Sequence, residues 1–251
     1  MSEIAADTRD ALLGGRVWLR QPAQGYRAAT DPVLLAAACP AKPGETALDL
    51  GCGAGAAALC LAARVGGLAL HGLELQPGYA ALARRNAAEN GVALTVHDGD
   101  VAAPPAALKA LGFDHVLTNP PFFDAVDAPS PAPDRDAARR AGPQGVALWI
   151  DAGLRRLRQG GWLTLIHRAE RLPEILAALA GRAGAVAALP LAARAGRDAK
   201  RVIVKARKDS RAPFRLAAPL VLHEGPRHPG DADHFTEAAA AILRDARPLA
   251  F

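Results

Sequence analysis

From Glu45 to Lys208 short apolar runs alternate with amphipathic stretches of helical length, and that alternation leaves few folds open. The runs are "ETALDL", "LALHGLEL", "VALTVHDGD", "FDHVLTNPP", "WLTLIHR", "AVAALPLAA" and "AKRVIVKARK". The helical stretches among them are "AAALCLAARV", "GYAALARRNAAENG", "PQGVALWIDAGLRRLRQGG" and "RLPEILAALAGRAG". Strands separated by helices of about 10 to 15 residues pair side by side in one sheet, because each helix returns the chain to the same edge. The expectation is an α/β fold of three layers: a seven-stranded, mostly parallel sheet with helices on both faces. Upstream, "GRVWLRQP" reads as a strand, and Thr30, Asp31 and Pro32 give a helix start before an apolar run.

No linker or repeat divides the chain, so 1–251 is expected to form one domain with 1–40 as an N-terminal extension. The stretch "DAVDAPSPAPDRDAARRAG" is rich in Pro, Asp, Ala and Arg, and 124–142 is expected to be a mobile loop. The start "MSEIAADTRD" has no apolar core of a signal peptide, and no stretch approaches about 18 uninterrupted apolar residues, so no membrane span is expected. Three cysteines, Cys39, Cys52 and Cys60, show neither disulfide nor metal spacing, which suits a reduced cytoplasmic setting. The densest histidine group, His223, His228 and His234, lies in a Pro/Gly-rich loop, and no metal is expected. The oligomeric state is left open.

Chemistry concentrates at two turns. "DLGCGAG", Asp49 to Gly55, sits between a strand and a helix, where glycines let the backbone turn tightly and approach a ligand closely. Glu74 ends the next strand at the separation expected of a carboxylate that accepts hydrogen bonds from ribose hydroxyls. A dinucleotide or an adenosyl sulfonium fits such a turn. The spacing of Gly51, Gly53 and Gly55 behind Asp49 favours the sulfonium, and Asp100 in "HDGD" is placed to reach an adenine amino group.

The second turn, "NPPF", ends an apolar strand. An exocyclic or amide nitrogen is a poor nucleophile because its lone pair is delocalised. The side-chain oxygen of Asn119 and the carbonyl of Pro120 can accept both amine hydrogens, while proline adds rigidity and no donor. Phe122 can stack on a planar target, contributing about 1 to 3 kcal/mol if that target is a base.

In this order "DLGCGAG", "GLEL", "DGD" and "NPPFF" resemble the Rossmann-like S-adenosylmethionine-dependent methyltransferases of the amino-methylating type. The flanks "GYRAATDPVLLAAA" and "PLVLHEGPRHPGDADHFTEAAAAILRD" are similar, more narrowly, to the bacterial tRNA1(Val) adenine-N6 methyltransferase family. That resemblance implies S-adenosyl-L-methionine as cofactor and, as substrate, a tRNA adenosine beside the anticodon. It also implies that Asp49, Gly51, Gly53 and Gly55 cradle the methionine part, Glu74 the ribose and Asp100 the adenine, with Cys52, Leu75 and Val101 among the cofactor-binding residues. Thr30 and Asp31, in the N-terminal extension, would meet the cofactor's carboxylate end. Asn119, Pro120, Pro121 and Phe122 would hold the target, with Asn119 also beside the cofactor. Two sister families, the rRNA guanine-N2 and the release-factor glutamine-N5 methyltransferases, share the Asn-Pro-Pro-aromatic turn. A non-catalytic RNA-binding or assembly factor that keeps the fold is a further alternative.

The net charge of +5 favours an anionic partner, and the cations crowd between Arg194 and Arg215. Arg194, Arg197, Lys200, Arg201, Lys205 and Arg207 are expected to form a phosphate track for tRNA. The competing expectation is that these cations protect an edge strand from pairing with other chains.

Overall fold

The computed structural model describes residues 7–24, 27–122, 145–225 and 234–251. The loop expected over 124–142 and the histidine at 228 lie outside these residues. Strands β3 (Thr46–Leu50), β4 (Ala69–Glu74), β5 (Leu94–Asp98), β6 (Phe113–Thr118), β7 (Leu157–Arg168), β8 (Ala183–Ala192) and β9 (Ala199–Lys208) form the sheet, in the order β8-β9-β7-β6-β3-β4-β5. All pair in parallel except β9, which is antiparallel to both β7 and β8. The expected seven-stranded, mostly parallel sheet is therefore present. Two-residue strands β10 (Arg215–Leu216) and β11 (Leu220–Val221) extend it along β8.

Both sheet faces are covered, and the strands show it by sending alternate residues into two separate cores. Ala47, Leu117 and Ile203 join a core under α1 (Thr30–Ala38), α2 (Ala56–Arg64) and α3 (Pro77–Glu89). Leu48, Val116, Val202 and Val204 join the other, under α4 (Ala106–Lys109), α5 (Gly145–Arg156) and α6 (Leu172–Leu179). This is the period-two alternation of a strand with two apolar faces, and each fully buried aliphatic contributes about 1.5 to 3 kcal/mol. A last helix, α7 (Glu237–Asp245), packs on the first core through Ala239, Ile242 and Leu243. Its cap is Thr236, whose hydroxyl accepts from the Ala239 N–H at 3.2 Å and donates to the Val221 carbonyl at 2.8 Å.

Two segments differ from expectation. The chain enters β7 at Leu157, inside the stretch expected to stay helical, because Gly160 has φ of +74° and a Cβ at Gly161 would lie 3.0 Å from the Asp114 carbonyl oxygen. Helix cannot continue through that close approach to β6. Upstream, β1 (Asp7–Leu12) pairs antiparallel with β2 (Val17–Pro22) as a hairpin outside the main sheet, and only β2 is legible in the sequence.

Asn86 of α3 and Asn90, which caps that helix, hold the hairpin. Asn86 accepts from the Arg20 N–H at 2.8 Å and donates to the Arg20 carbonyl at 2.9 Å; Asn90 treats Trp18 the same way at 2.9 and 2.7 Å. Four residues apart, the two amides face alternate residues of β2 and stand in for a neighbouring strand. The helix stops there, with left-handed Gly91 just past the cap: Gly91 has φ of +64°, and Val92 N–H reaches back to the Ala87 carbonyl at 2.9 Å.

From β3 the sheet grows in both directions, with β4 on one side and β6 on the other. Open parallel sheets bind ligands at such a reversal, outside the carboxyl ends of the strands. Among the described residues no helix is long and apolar enough to cross a membrane.

Candidate active site

The glycine turn forms at the carboxyl end of β3. Gly51 and Cys52 both donate to the Leu73 carbonyl, at 2.8 and 3.0 Å, which peels the chain off the sheet. Gly51, Gly53 and Gly55 have φ of +72°, +54° and +90°, the left-handed region where side chains are strained. A Cβ at Gly53 would meet no atom within 4 Å, so the turn presents bare backbone to open space. The opposite holds at Gly51, where a Cβ would lie 2.7 Å from the ring of Trp149 on α5.

Glu74 and the turn are one hydrogen-bonded unit. Glu74 Oε2 accepts from the Gly53 N–H at 2.9 Å and Oε1 from the Gln76 N–H at 2.8 Å. Burial pushes the Glu74 carboxyl pKa up, and these backbone bonds oppose it. Asp49 is buried beneath, its Oδ2 accepting from the Ala58 N–H at 3.2 Å in the first turn of α2. Burial raises its pKa to about 7, with Glu74 adding to the shift and the Ala58 bond opposing it. Cys52 is buried too, its thiol pKa pushed up by burial; all three cysteines are free.

Asp100 follows β5 on the same rim, and Gly99 between them donates to the Glu74 carbonyl at 2.9 Å. The Asp100 side chain is exposed and accepts from the Ala102 N–H at 2.8 Å, so it closes its own turn. Val101 is buried beside it, while Leu75 is exposed. The structure thus brings Asp49, the glycines, Glu74 and Asp100 to one end of the sheet. The fit to a nucleoside-bearing cofactor rests on two buried carboxylates and an open backbone cradle.

The second turn meets the first through a single hydroxyl. Thr118, last in β6 and paired with Leu50, donates from Oγ1 to the Leu50 carbonyl at 3.0 Å, which sets Asn119 beside the start of the glycine turn. Asn119 is half-buried, Pro120 buried, and Pro121 and Phe122 half-buried. Phe122 has close neighbours: its ring centroid lies 5.2 Å from that of His167 at an interplanar angle of 76°, and 4.4 Å from the Arg201 guanidinium carbon. His167 is buried, which lowers its pKa to about 4 against a hydrogen bond to the Pro121 carbonyl, so it is neutral at pH 7. Asp31, near the start of α1 beside Thr30, reaches Arg201, Oδ2 to Nε, at 3.3 Å.

The expected phosphate track does not hold together. Arg194 is buried and donates to the carbonyls of Glu224 and Gly225. Lys205 is buried as well, its ammonium 4.0 Å from the Phe251 ring centroid and its pKa lowered by desolvation. Arg207 pairs across from Trp162, near the start of β7 and so at the far end of the sheet from the site, and donates to the Gly160 carbonyl at 2.9 Å. Arg201 is engaged by Asp31 and Phe122, which leaves Arg197 and Lys200 as exposed cations near the site end of β9. Edge protection fails too, since β9 is an inner strand with partners on both sides.

Three supporting residues were not expected. Besides holding the hairpin, Asn86 donates to the Ala54 carbonyl at 2.9 Å and so braces the glycine turn. Its signal is in the sequence: it falls with Tyr79, Leu82 and Ala83 on the buried side of α3, where a polar side chain needs a partner. Trp149 and His167 come from distant segments, with no local signal linking them to either turn.

The fold and these two turns define a Rossmann-like α/β protein with its site at the switch point of the sheet. The family model for the methyltransferase small domain matches residues 29–188, the greater part of the chain, and the chain belongs to that family. A release factor glutamine methyltransferase of Geobacter sulfurreducens is 33% identical over 124 residues, 46% of this chain and 43% of its own. A tRNA1(Val) (adenine(37)-N6)-methyltransferase of Actinobacillus succinogenes is 34% identical over 148 residues, 57% of this chain and 61% of its own. A crystal structure described as a predicted O-methyltransferase from Agrobacterium tumefaciens has a TM-score of 0.70 and 29% identity, covering 88% of this chain and 98% of its own. The chain spans about half the length of the curated relatives it matches.

Proposed function

We propose that the chain is an S-adenosylmethionine-dependent N-methyltransferase that acts on N6 of an adenosine in tRNA, the one beside the anticodon of tRNA1(Val), in the cytoplasm. The observation that carries this reading is the Thr118 to Leu50 hydrogen bond, which holds the Asn-Pro-Pro-Phe turn against the glycine turn. Target and cofactor sites are thereby adjacent. Similarity to enzymes named for tRNA1(Val) adenine supports the substrate.

Asp49, Gly51, Gly53 and Gly55 hold the amino-acid part of the cofactor, Glu74 the ribose hydroxyls and Asp100 the adenine amine. Each oxygen of Glu74 already takes one backbone N–H, and a carboxylate oxygen has capacity for a second donor. When bound, S-adenosylmethionine supplies an electrophilic methyl on a good leaving group, so the protein mainly aligns and excludes water. Asn119 Oδ1 and the Pro120 carbonyl accept the two hydrogens of the target amine and draw its lone pair out of the ring. Phe122 stacks on the flipped base.

Asn119→Ala tests the reading. Single-turnover methyl transfer to tRNA is expected to fall roughly a hundredfold or more, because the lost acceptor matters most as the nitrogen rehybridises. Cofactor affinity by calorimetry is expected to stay within about twofold. Transfer at the wild-type rate would show that this turn is architecture alone.

A further inference from the structure

The aromatic ring of the target turn is gripped by groups that no motif includes. β7 runs past the end of β6: Thr118 pairs with Leu165, while His167 and Arg168 lie further on and pair with Val202 and Arg201 of β9. That overhang delivers two side chains to Phe122. His167 meets the ring nearly perpendicular to it. Arg201 lies over the ring, and Asp31 Oδ2 holds Arg201 at Nε, 3.3 Å away. The Arg201 side chain is 34% exposed and that of Asp31 23%, so the pair is partly withdrawn from water. A guanidinium stacked over a ring is attracted by the ring's negative face, and its planar fork still leaves donors for a carboxylate.

We infer that Arg201 is a positioning residue: held by Asp31, it fixes the Phe122 ring and thereby sets the pose of the planar target stacked on that ring. The inference rests on the base-stacking role proposed for Phe122 above and deepens it. A sequence reading places Arg201 with the exposed cations as a phosphate contact. The geometry separates the two roles, because a phosphate contact would act on RNA affinity independently of Phe122, whereas a positioning residue acts through it. Asp31 belongs to α1, so the chain Asp31, Arg201, Phe122 also ties the N-terminal segment to the target turn.

The test is a double-mutant cycle of Arg201→Gln and Phe122→Leu, read as the single-turnover methylation rate at saturating tRNA, with tRNA affinity measured across a salt series. Arg201→Gln is expected to slow transfer about five- to tenfold in the wild-type background and to add less than about twofold in the Phe122→Leu background. The slope of log affinity against log salt is expected to stay unchanged. Should Arg201→Gln fail to fold, as judged by thermal unfolding and cofactor calorimetry, Arg201→Lys carries the same cycle, since it keeps the charge and loses the planar stack. A loss equal in both backgrounds, or a salt slope reduced by about one, assigns Arg201 to a phosphate and overturns the inference. Wild-type protein that transfers no methyl group to any tRNA overturns the reading beneath it, and the inference with it.

Discussion

At the scale of single residues the site is governed by burial. Asp49 lies under the glycine turn with its pKa raised to about 7, mostly by desolvation. The native state therefore keeps a proton that the unfolded chain, with an aspartate pKa of about 3.9, has released. Between about pH 4 and 7 the native state binds more protons, so the Asp49 contribution favours folding at low pH and is lost as the pH rises through about 7. In Asp49→Asn the side chain is neutral throughout and can still accept from Ala58. Its stability relative to wild type is therefore expected to rise from pH 5 to pH 8, by about 2.5 kcal/mol. Denaturant unfolding at the two pH values measures this; parallel behaviour of the two proteins would mean that Asp49 does not titrate there. The neutral His167 and the buried Lys205 show the same force acting on bases, where desolvation lowers the pKa.

At the scale of elements, the glycine turn is held by hydrogen bonds from three directions: the end of β4 below it, Glu74 across it and Asn86 behind it. Asn86 is fully buried and serves both the turn and the hairpin. Asn86→Leu would keep the volume but leave the Arg20 N–H and carbonyl and the Ala54 carbonyl without this partner. A loss of about 2 to 4 kcal/mol in unfolding free energy is expected, with weaker cofactor binding as the turn loosens. A loss below about 0.5 kcal/mol would show that the hairpin and turn stand without it. Most elements were legible because their physics is local: apolar alternation marks the strands, and Gly91 stops α3. The boundary of β7 was not, since it depends on the close approach of Gly161 to Asp114 in a different strand. Nor was β1, whose polar residues "DTRD" carry no strand pattern and find their order only by pairing with β2.

At the scale of the whole molecule, the motifs of the site could be found in the sequence because strand–turn junctions fall at fixed intervals along an alternating chain. Asp49 lies one residue before the end of β3, Glu74 ends β4, and Asp100 and Asn119 follow β5 and β6, so the parallel sheet carries all four to one rim. The cations illustrate the limit of that reading. A run of arginines and lysines reads as exposed, yet the fold buries Arg194 and Lys205, sends Arg207 to the opposite end and turns Arg201 onto Phe122. Which strand becomes an inner one is a property of the assembled sheet, and β9 gains its second neighbour from β8, on the other side of a tight connection. The reaction proposed for this rim is transfer of a methyl group to an adenine amine in RNA. Its most direct measurement offers the wild-type protein, with methyl-labelled S-adenosylmethionine, to total tRNA, total rRNA and release factors in parallel, followed by digestion and identification of the labelled product. Label recovered as N6-methyladenosine from tRNA is the predicted result; label recovered as methylglutamine from a release factor, as N2-methylguanosine from rRNA, or from none of the three, would contradict it.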